Sequence, residues 1–200
     1  MLKTAGHVKK YYKECCILFE DFMQREGKDA TLKEFMKFVM TQAKDIQDND
    51  AKLVFKGDML EILAEIFFKA FSNSPQVGLT DYGPVPLEED YGVDGFGVNA
   101  AGKRCAVQVK YRANPKDSVL YAEMARTYTS AVIQLKIPLE GEDCLYVFTT
   151  ADEVTPACRT VFGKMLRVIN KEIISNEINN NVNFWKFAYE EIKNTLLGGE

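Results

Sequence analysis

The segment Arg104-Cys105-Ala106-Val107-Gln108-Val109-Lys110-Tyr111 constrains this chain more than any other stretch. Its β-branched and apolar residues read as a strand buried in a sheet. Side chains on a strand alternate faces, so Cys105, Val107 and Val109 point one way and Ala106, Gln108 and Lys110 the other. A carboxamide and an ammonium two residues apart in a buried strand are costly unless the fold supplies partners for them. On an edge strand both could simply be wet. What shifts the reading is the preceding strand, Val93 to Val98, joined to the first by the turn Asn99-Ala100-Ala101-Gly102. Asp94 enters this hairpin in Gly92-Val93-Asp94-Gly95-Phe96-Gly97, where glycines thin the backbone and admit a close neighbour or ligand.

The rest of the chain narrows what such a hairpin can serve. With 200 residues, 46% hydrophobic and 27% charged, one main domain with a small appendage is expected. No run approaches the roughly 18 apolar residues of a membrane helix, and the first residues lack a signal peptide's apolar centre, so a cytoplasmic protein without a membrane partner is expected. Cys15, Cys16, Cys105, Cys144 and Cys158 are odd in number, scattered and without a CxxC pair, and read as reduced, buried small residues. The lone histidine, His7, leaves little material for histidine catalysis or a multi-histidine metal site. A formal charge of -4 runs against a nucleic-acid binder, although carboxylates gathered for a metal would also lower the total.

Two helices are expected first. One carries Val8, Tyr11, Cys15, Leu18, Phe19 and Phe22 and stops at Gly27; the other starts at a capping box, Thr31-Leu32-Lys33-Glu34. Asp45 to Asp50 reads as a linker, and a third helix spans about Gly57 to Phe71. After a break at Ser72 to Pro75 come a short strand at Val77 to Thr80, the hairpin, a helix near Ser118 to Leu135 and a buried strand at Cys144 to Thr150. A helix starts near Pro156, Arg167 to Ile174 reads as a further strand, Ser175 to Asn183 as a polar loop, and Phe184 to Leu197 as a closing helix. The third helix alone looks ordinary. Its Asp58, Glu61, Glu65 and Lys69 would form a solvated face stabilised by the Glu65 to Lys69 pair.

Three segments change that reading when taken together: Gly57-Asp58-Met59-Leu60-Glu61, Tyr91-Gly92-Val93-Asp94-Gly95 and Val107-Gln108-Val109-Lys110. In this order they resemble the Mrr-like restriction-endonuclease branch of the PD-(D/E)XK nuclease superfamily, and Val147-Phe148-Thr149-Thr150-Ala151 is similar to that branch's next strand. The resemblance covers about Gly57 to Arg167. It implies an α/β fold with an αβββαβ core and a mixed sheet flanked by helices, in a nuclease domain at 53–200; the helical N-terminal extension at 1–52 is read from the order of elements and lies outside the resemblance. The resemblance also implies a Mg²⁺- or Mn²⁺-dependent deoxyribonuclease with Glu61, Asp94, Gln108 and Lys110 as its catalytic set. Many relatives have glutamate where this chain has Gln108, which lowers the ligand charge.

The residue types suit that chemistry. In-line attack by water on a phosphodiester piles negative charge on phosphate oxygens and the leaving oxygen. Oxygen donors from Glu61, Asp94, the Gln108 carboxamide and the Val109 carbonyl would suit Mg²⁺ or Mn²⁺. Lys110 would orient the attacking water. Tyr111, Arg112, Lys116 and Arg126 could grip backbone phosphates, though exposed loops commonly carry basic residues, and Lys9, Lys10 and Lys13 could extend a DNA track. Glu88-Glu89-Asp90 reads as a solvated loop. Other readings stand beside this one: a junction-resolving nuclease acting as a homodimer, a non-catalytic nucleic-acid-binding module, a protein-interaction domain, or one domain of a larger helicase or restriction enzyme.

Overall fold

The computed structural model describes residues 2, 12–27, 30–85 and 92–198. The residues named above at Val8, Tyr11, His7, Lys9 and Lys10, at 88–90 and at Tyr91 lie outside these.

Helix α1 spans Tyr12–Glu26 and ends at Gly27, whose φ of +65° is the left-handed conformation that glycine adopts without strain. Helix α2 spans Leu32–Gln42 behind the expected capping box: Glu34 N donates to Thr31 Oγ1 at 3.3 Å, and Thr31 N donates to Glu34 Oε2 at 2.8 Å. The polar segment after it is mostly structured. A 3₁₀ turn at Ala43–Asp45 leads to Asp48, which caps helix α3 (Asn49–Ala70) by accepting from Ala51 N at 2.7 Å. The third helix thus begins at Asn49 rather than Gly57, because Asp48 offers a cap that the search for an apolar stripe overlooks.

Among the described residues five strands form one sheet, in the order β1 (Leu79–Pro84), β2 (Gly95–Asn99), β3 (Arg104–Lys110), β4 (Leu145–Thr149) and β5 (Leu166–Ile169). The first three are antiparallel, whereas β3, β4 and β5 run parallel. Parallel neighbours need a crossover. Between β3 and β4 this is helix α4 (Tyr121–Thr129), extended by a π-helical turn at Ser130–Gln134. Helix α5 (Pro156–Phe162) and a 3₁₀ turn at Gly163–Met165 connect β4 to β5. The sequence α3-β1-β2-β3-α4-β4 is the predicted αβββαβ order, so the chain has the mixed sheet flanked by helices of a restriction-endonuclease-like fold.

Two expectations fail after β4. The strand read at Arg167 to Ile174 stops at Ile169, and helix α6 (Lys171–Ile178) takes the second half of that stretch and the first part of what read as a polar loop. The reason is local: Asn170 accepts from Ile173 N at 3.0 Å and caps a helix whose Ile174 and Ile178, four apart, are both buried. Helix α7 (Val182–Leu197) closes the chain.

The faces of the sheet divide the work. Register pairs Val107 with Tyr146 and Val109 with Phe148, and α3 covers that face through Phe67 and Phe68, whose rings lie 5.2 and 5.5 Å from Phe148. The opposite face carries Gln108 and Val147 and receives α4. Helices α1, α2 and α7 meet in an aromatic cluster in which Phe22 lies 5.5 Å from Phe35 and 5.8 Å from Trp185. Trp185 is fully buried and donates its indole N–H to Ile178 O at 2.7 Å. This cluster is continuous with the core under the sheet, so α1 and α2 share the core of α3. All five cysteines are buried and unbridged.

Replacing Thr31 with alanine removes the oxygen that caps α2. The expected cost is about 1 kcal/mol of folding stability, read as a lower urea midpoint at unchanged slope, whereas Thr31→Ser stays near wild type.

Candidate active site

Asp94 sits where β2 ends against β3. Its backbone still belongs to the ladder, since Asp94 N donates to Val107 O at 3.0 Å and Val85 N donates to Asp94 O at 3.1 Å. One carboxylate oxygen, Oδ2, accepts from Val109 N at 2.6 Å and also from the Gln108 side-chain amide. The acid therefore takes over the hydrogen bonding of β3 where β2 runs out, and it is locked to the two residues that follow Val107.

Gln108 is 2% exposed, so its polar atoms need protein partners. Its Nε2 faces Asp94, and its Oε1 lies 2.5 Å from Thr127 Oγ1 on α4. Thr127 is itself fully buried and reaches Gly92 O at 2.8 Å. The carboxamide thus bridges the end of β2 to α4, with its oxygen turned toward α4. Lys110, half-buried, lies two residues on along the same strand, opposite Thr149 in β4. Thr149 Oγ1 donates to Lys110 O at 2.7 Å and holds the end of the strand. Val109 meets the centre through its N–H, with its side chain buried.

From the other face α3 brings carboxylates. Glu61 and Glu65 are one turn apart, and both act electrostatically on the phenol of Tyr82, as does Asp94. That phenol is pushed well above its ordinary value of 10.0, first by burial and then by Glu61, Asp94 and Glu65. The charges of Glu61 and Asp94 are therefore both felt at one buried phenol, although they come from a helix and a strand far apart in sequence. On the far side of Glu61 lies α1: burial raises the Cys15 thiol, followed in effect by Asp58 and with Glu61 contributing.

The solvated face expected for α3 is not there. Asp58 is 4% exposed and Glu65 fully buried, because α1 and the sheet cover that side of the helix. The Glu65 to Lys69 pair does form, at 3.2 Å, and Lys69 also reaches Glu191 of α7 at 3.2 Å. It is a bridge between packed helices.

The hairpin glycines make room for β1. Between Thr80 and Gly83 the β1–β2 register slips, with Asp81 at φ +51°, and the bulge turns Tyr82 over the sheet. A Cβ on Gly95 would lie 2.5 Å from Tyr82 Cε2, and one on Gly97 would lie 2.7 Å from Leu79 Cδ1. The close neighbours that the glycines admit are the side chains of β1. Gly92, at φ +99°, instead lies beneath Arg126, whose Nε would stand 2.8 Å from a Cβ there.

The four residues named as phosphate contacts have separate settings. Tyr111 packs toward α2, its hydroxyl 3.5 Å from Met36 O, and burial pushes its phenol up to about 12. Arg112 is ion-paired with Glu123 at 2.5 Å, and the same carboxylate oxygen accepts from Leu120 N at 2.8 Å at the start of α4. These two are bound into the protein. Lys116 and Arg126 are exposed.

Tyr82 and Thr127 are the members of this cluster that pattern reading missed. Tyr82 reaches the site only through an irregular bulge, and a threonine inside a helix carries no local signal of a buried strand partner. Among the described residues no group of three or more His, Cys, Asp or Glu side chains is arranged to hold a metal. An ion here would have the Glu61 and Asp94 carboxylates as hard oxygen donors, with the Gln108 oxygen, which faces Thr127, joining only if the amide turned, and would keep water for its remaining ligands, as Mg²⁺ commonly does.

No family model matches the sequence, and no curated protein matches it. A search of solved structures finds a likeness to the MspJI restriction endonuclease, in complex with a 27-mer oligonucleotide, at a TM-score of 0.47 and 13% identity. The match covers 86% of this chain and 37% of that one, so the chain spans little more than a third of that enzyme's length. No helix among the described residues is long and apolar enough to cross a membrane.

The buried phenol makes stability fall in alkali. The unfolded Tyr82 ionises near 10.0 while the folded one stays protonated, so above that pH the unfolded state binds fewer protons and the slope of stability against pH is negative. Stability from this residue is intact below about pH 10 and is lost as pH rises toward the higher folded value. Tyr82→Phe removes this part of the decline. Urea midpoints of both proteins at about pH 8 and about pH 10.5 should converge or cross in favour of the variant at the higher pH; parallel behaviour would remove Tyr82 from the account.

Proposed function

We propose that this protein is a metal-dependent endonuclease that hydrolyses DNA phosphodiester bonds, within the PD-(D/E)XK superfamily and its Mrr-like branch. One observation carries the reading: Asp94 is bonded to both Gln108 and Val109 at the strand end, and Lys110 follows on the same strand, while Asp94 and Glu61 both act electrostatically on the buried Tyr82 phenol. Acidic oxygens, a neutral amide and an ammonium meeting at the end of a sheet are the groups that phosphodiester hydrolysis needs. A bound Mg²⁺ or Mn²⁺ would supply Lewis acidity and a water of lowered pKa.

The residues divide that task by their chemistry. Glu61 and Asp94 hold the cation, with Gln108 and the Val109 carbonyl as neutral oxygen donors. Lys110 orients the attacking water and offsets charge that grows on the phosphate oxygens. Lys116 and Arg126, both exposed, take backbone phosphates of the substrate. Arg112 supports them indirectly, because its pairing with Glu123 fixes the start of the helix that carries Arg126. The protein acts on DNA in the cytoplasm, with α1 and α2 as a helical extension that packs into the core of the nuclease domain.

A second reading has one observation of its own. Gln108 Oε1 faces Thr127 and not Asp94, the arrangement of a satisfied structural amide, and this favours a non-catalytic nucleic-acid-binding module on the same fold.

Incubation with linear, circular and branched DNA in Mg²⁺ and in Mn²⁺ separates the two. On the catalytic reading Asp94→Ala and Lys110→Ala each lower cutting by about 100-fold or more while DNA binding survives. Binding without cutting by the wild type, in either metal and on every substrate, would leave the binding module standing instead. Gln108→Glu adds a third negative charge, so half-maximal cutting should need less Mg²⁺ than in wild type. An equal or greater requirement contradicts a ligand role for residue 108.

A further inference from the structure

We propose that Thr127 is a positioning residue that lets Gln108 turn its carboxamide over when a divalent cation binds, so that the cation and the amide orientation are coupled. The inference rests on the metal-site reading above. Thr127 Oγ1 lies within reach of three oxygens: Gln108 Oε1 at 2.5 Å, Gly92 O at 2.8 Å and Glu123 O at 3.2 Å. A hydroxyl has one proton to donate and lone pairs with which to accept. With Gln108 Oε1 facing it, that proton must serve the amide oxygen, since two bare oxygens at 2.5 Å repel. Thr127 is fully buried and Gln108 is 2% exposed, so solvent does not compensate a mismatch.

Turning the amide by half a rotation about its last torsion exchanges the roles. Gln108 Nε2 then donates to Thr127 Oγ1, and the threonine proton passes to Gly92 O, already 2.8 Å away. On the Thr127 side the hydroxyl bonds Gln108 in either arrangement, and the turned one also gives Gly92 O a proton. On the Asp94 side they are not equivalent. As the protein stands, Nε2 donates to Asp94 Oδ2, a good charge-assisted bond. After the turn, Oε1 faces the carboxylate, which is unfavourable unless a cation lies between the two oxygens. A divalent ion reverses the preference, because it attracts Oε1 and repels the amide hydrogens. The hydroxyl can accept as well as donate, so it is the group that makes the turned state affordable. Valine in its place would offer nothing to Nε2 and would hold the amide with its donor toward Asp94.

The test follows thermal stability against Mg²⁺ concentration for wild type, Thr127→Ser, Thr127→Val and Asp94→Ala, together with NMR of the Gln108 side-chain amide, assigned by its loss in Gln108→Glu. A cation that binds only the folded protein raises the melting temperature. Wild type and Thr127→Ser should respond alike, Thr127→Val should need about tenfold more Mg²⁺ or worse, and Asp94→Ala should not respond. In the wild type, Mg²⁺ should bring the Gln108 amide protons into through-space contact with the Thr127 methyl group. Equal Mg²⁺ dependence in Thr127→Val and wild type overturns the proposal and leaves the metal site standing. So does an amide without that contact in a protein whose melting temperature Mg²⁺ has raised. If Thr127→Val fails to fold, the NMR contact and the Thr127→Ser titration decide. A wild type as indifferent to Mg²⁺ as Asp94→Ala overturns the metal-site reading itself, and the turn of Gln108 with it.

Discussion

The bond from Val109 N–H to the Asp94 carboxylate, 2.6 Å long, is the constraint on which the site depends. β3 is the strand at which the sheet changes from antiparallel to parallel pairing, so it must be satisfied on both edges along its whole length. β2 is too short to do this at the end that carries the polar residues. Asp94 fills the gap with its side chain, and an acid is thereby fixed beside Gln108 and Lys110. The need to pair a buried amide and the need for a carboxylate at the strand end are met by one residue. A neutral isostere would accept the same bonds without the charge that strengthens them.

Opposite faces of the sheet converge on this point. α3 brings Glu61 and Glu65 from one side, under a roof of Tyr82 that the β1 bulge swings over Gly95. α4 brings Thr127 from the other side and holds Gln108 through it. Gln108 is held from the α4 side and Glu61 comes with α3, and Asp94, where one strand ends, is bonded to the first and acts with the second on Tyr82. This explains why glycine occurs at Gly95 and Gly97: any side chain there would displace Tyr82 or Leu79, which pack over β2.

Positive charge around the centre is unevenly available. Arg112 serves the protein, tied to Glu123 while Glu123 caps α4. Lys69 bridges buried Glu65 to Glu191 and joins α3 to α7. The exposed Lys116 and Arg126 are carried by the segment and helix that follow β3. A net charge of -4 is therefore a poor guide to local charge, because Lys69 and Arg112 pair with acids of the fold while Lys116 and Arg126 are exposed.

Much of the architecture was legible from local chemistry alone. The Thr31 capping box, the hairpin turn at Asn99 to Gly102 and the αβββαβ order follow from capping oxygens, turn residues and a period of two, all of which act between near neighbours. Alternation likewise placed Gln108 and Lys110 on one face of β3. What only the tertiary structure decided is how those residues are partnered. The burial of Asp58 and Glu65 depends on α1 lying across α3, and the arrival of Tyr82 depends on a bulge. The hold on Gln108 comes from a threonine one helix away. Each joins residues whose spacing along the chain carries no periodic signal, because packing between elements is set by shape and by the cost of burying polar atoms. The helix at Lys171–Ile178 shows the same limit at shorter range: its isoleucines fit either period, and a single asparagine cap settled which one the chain adopts.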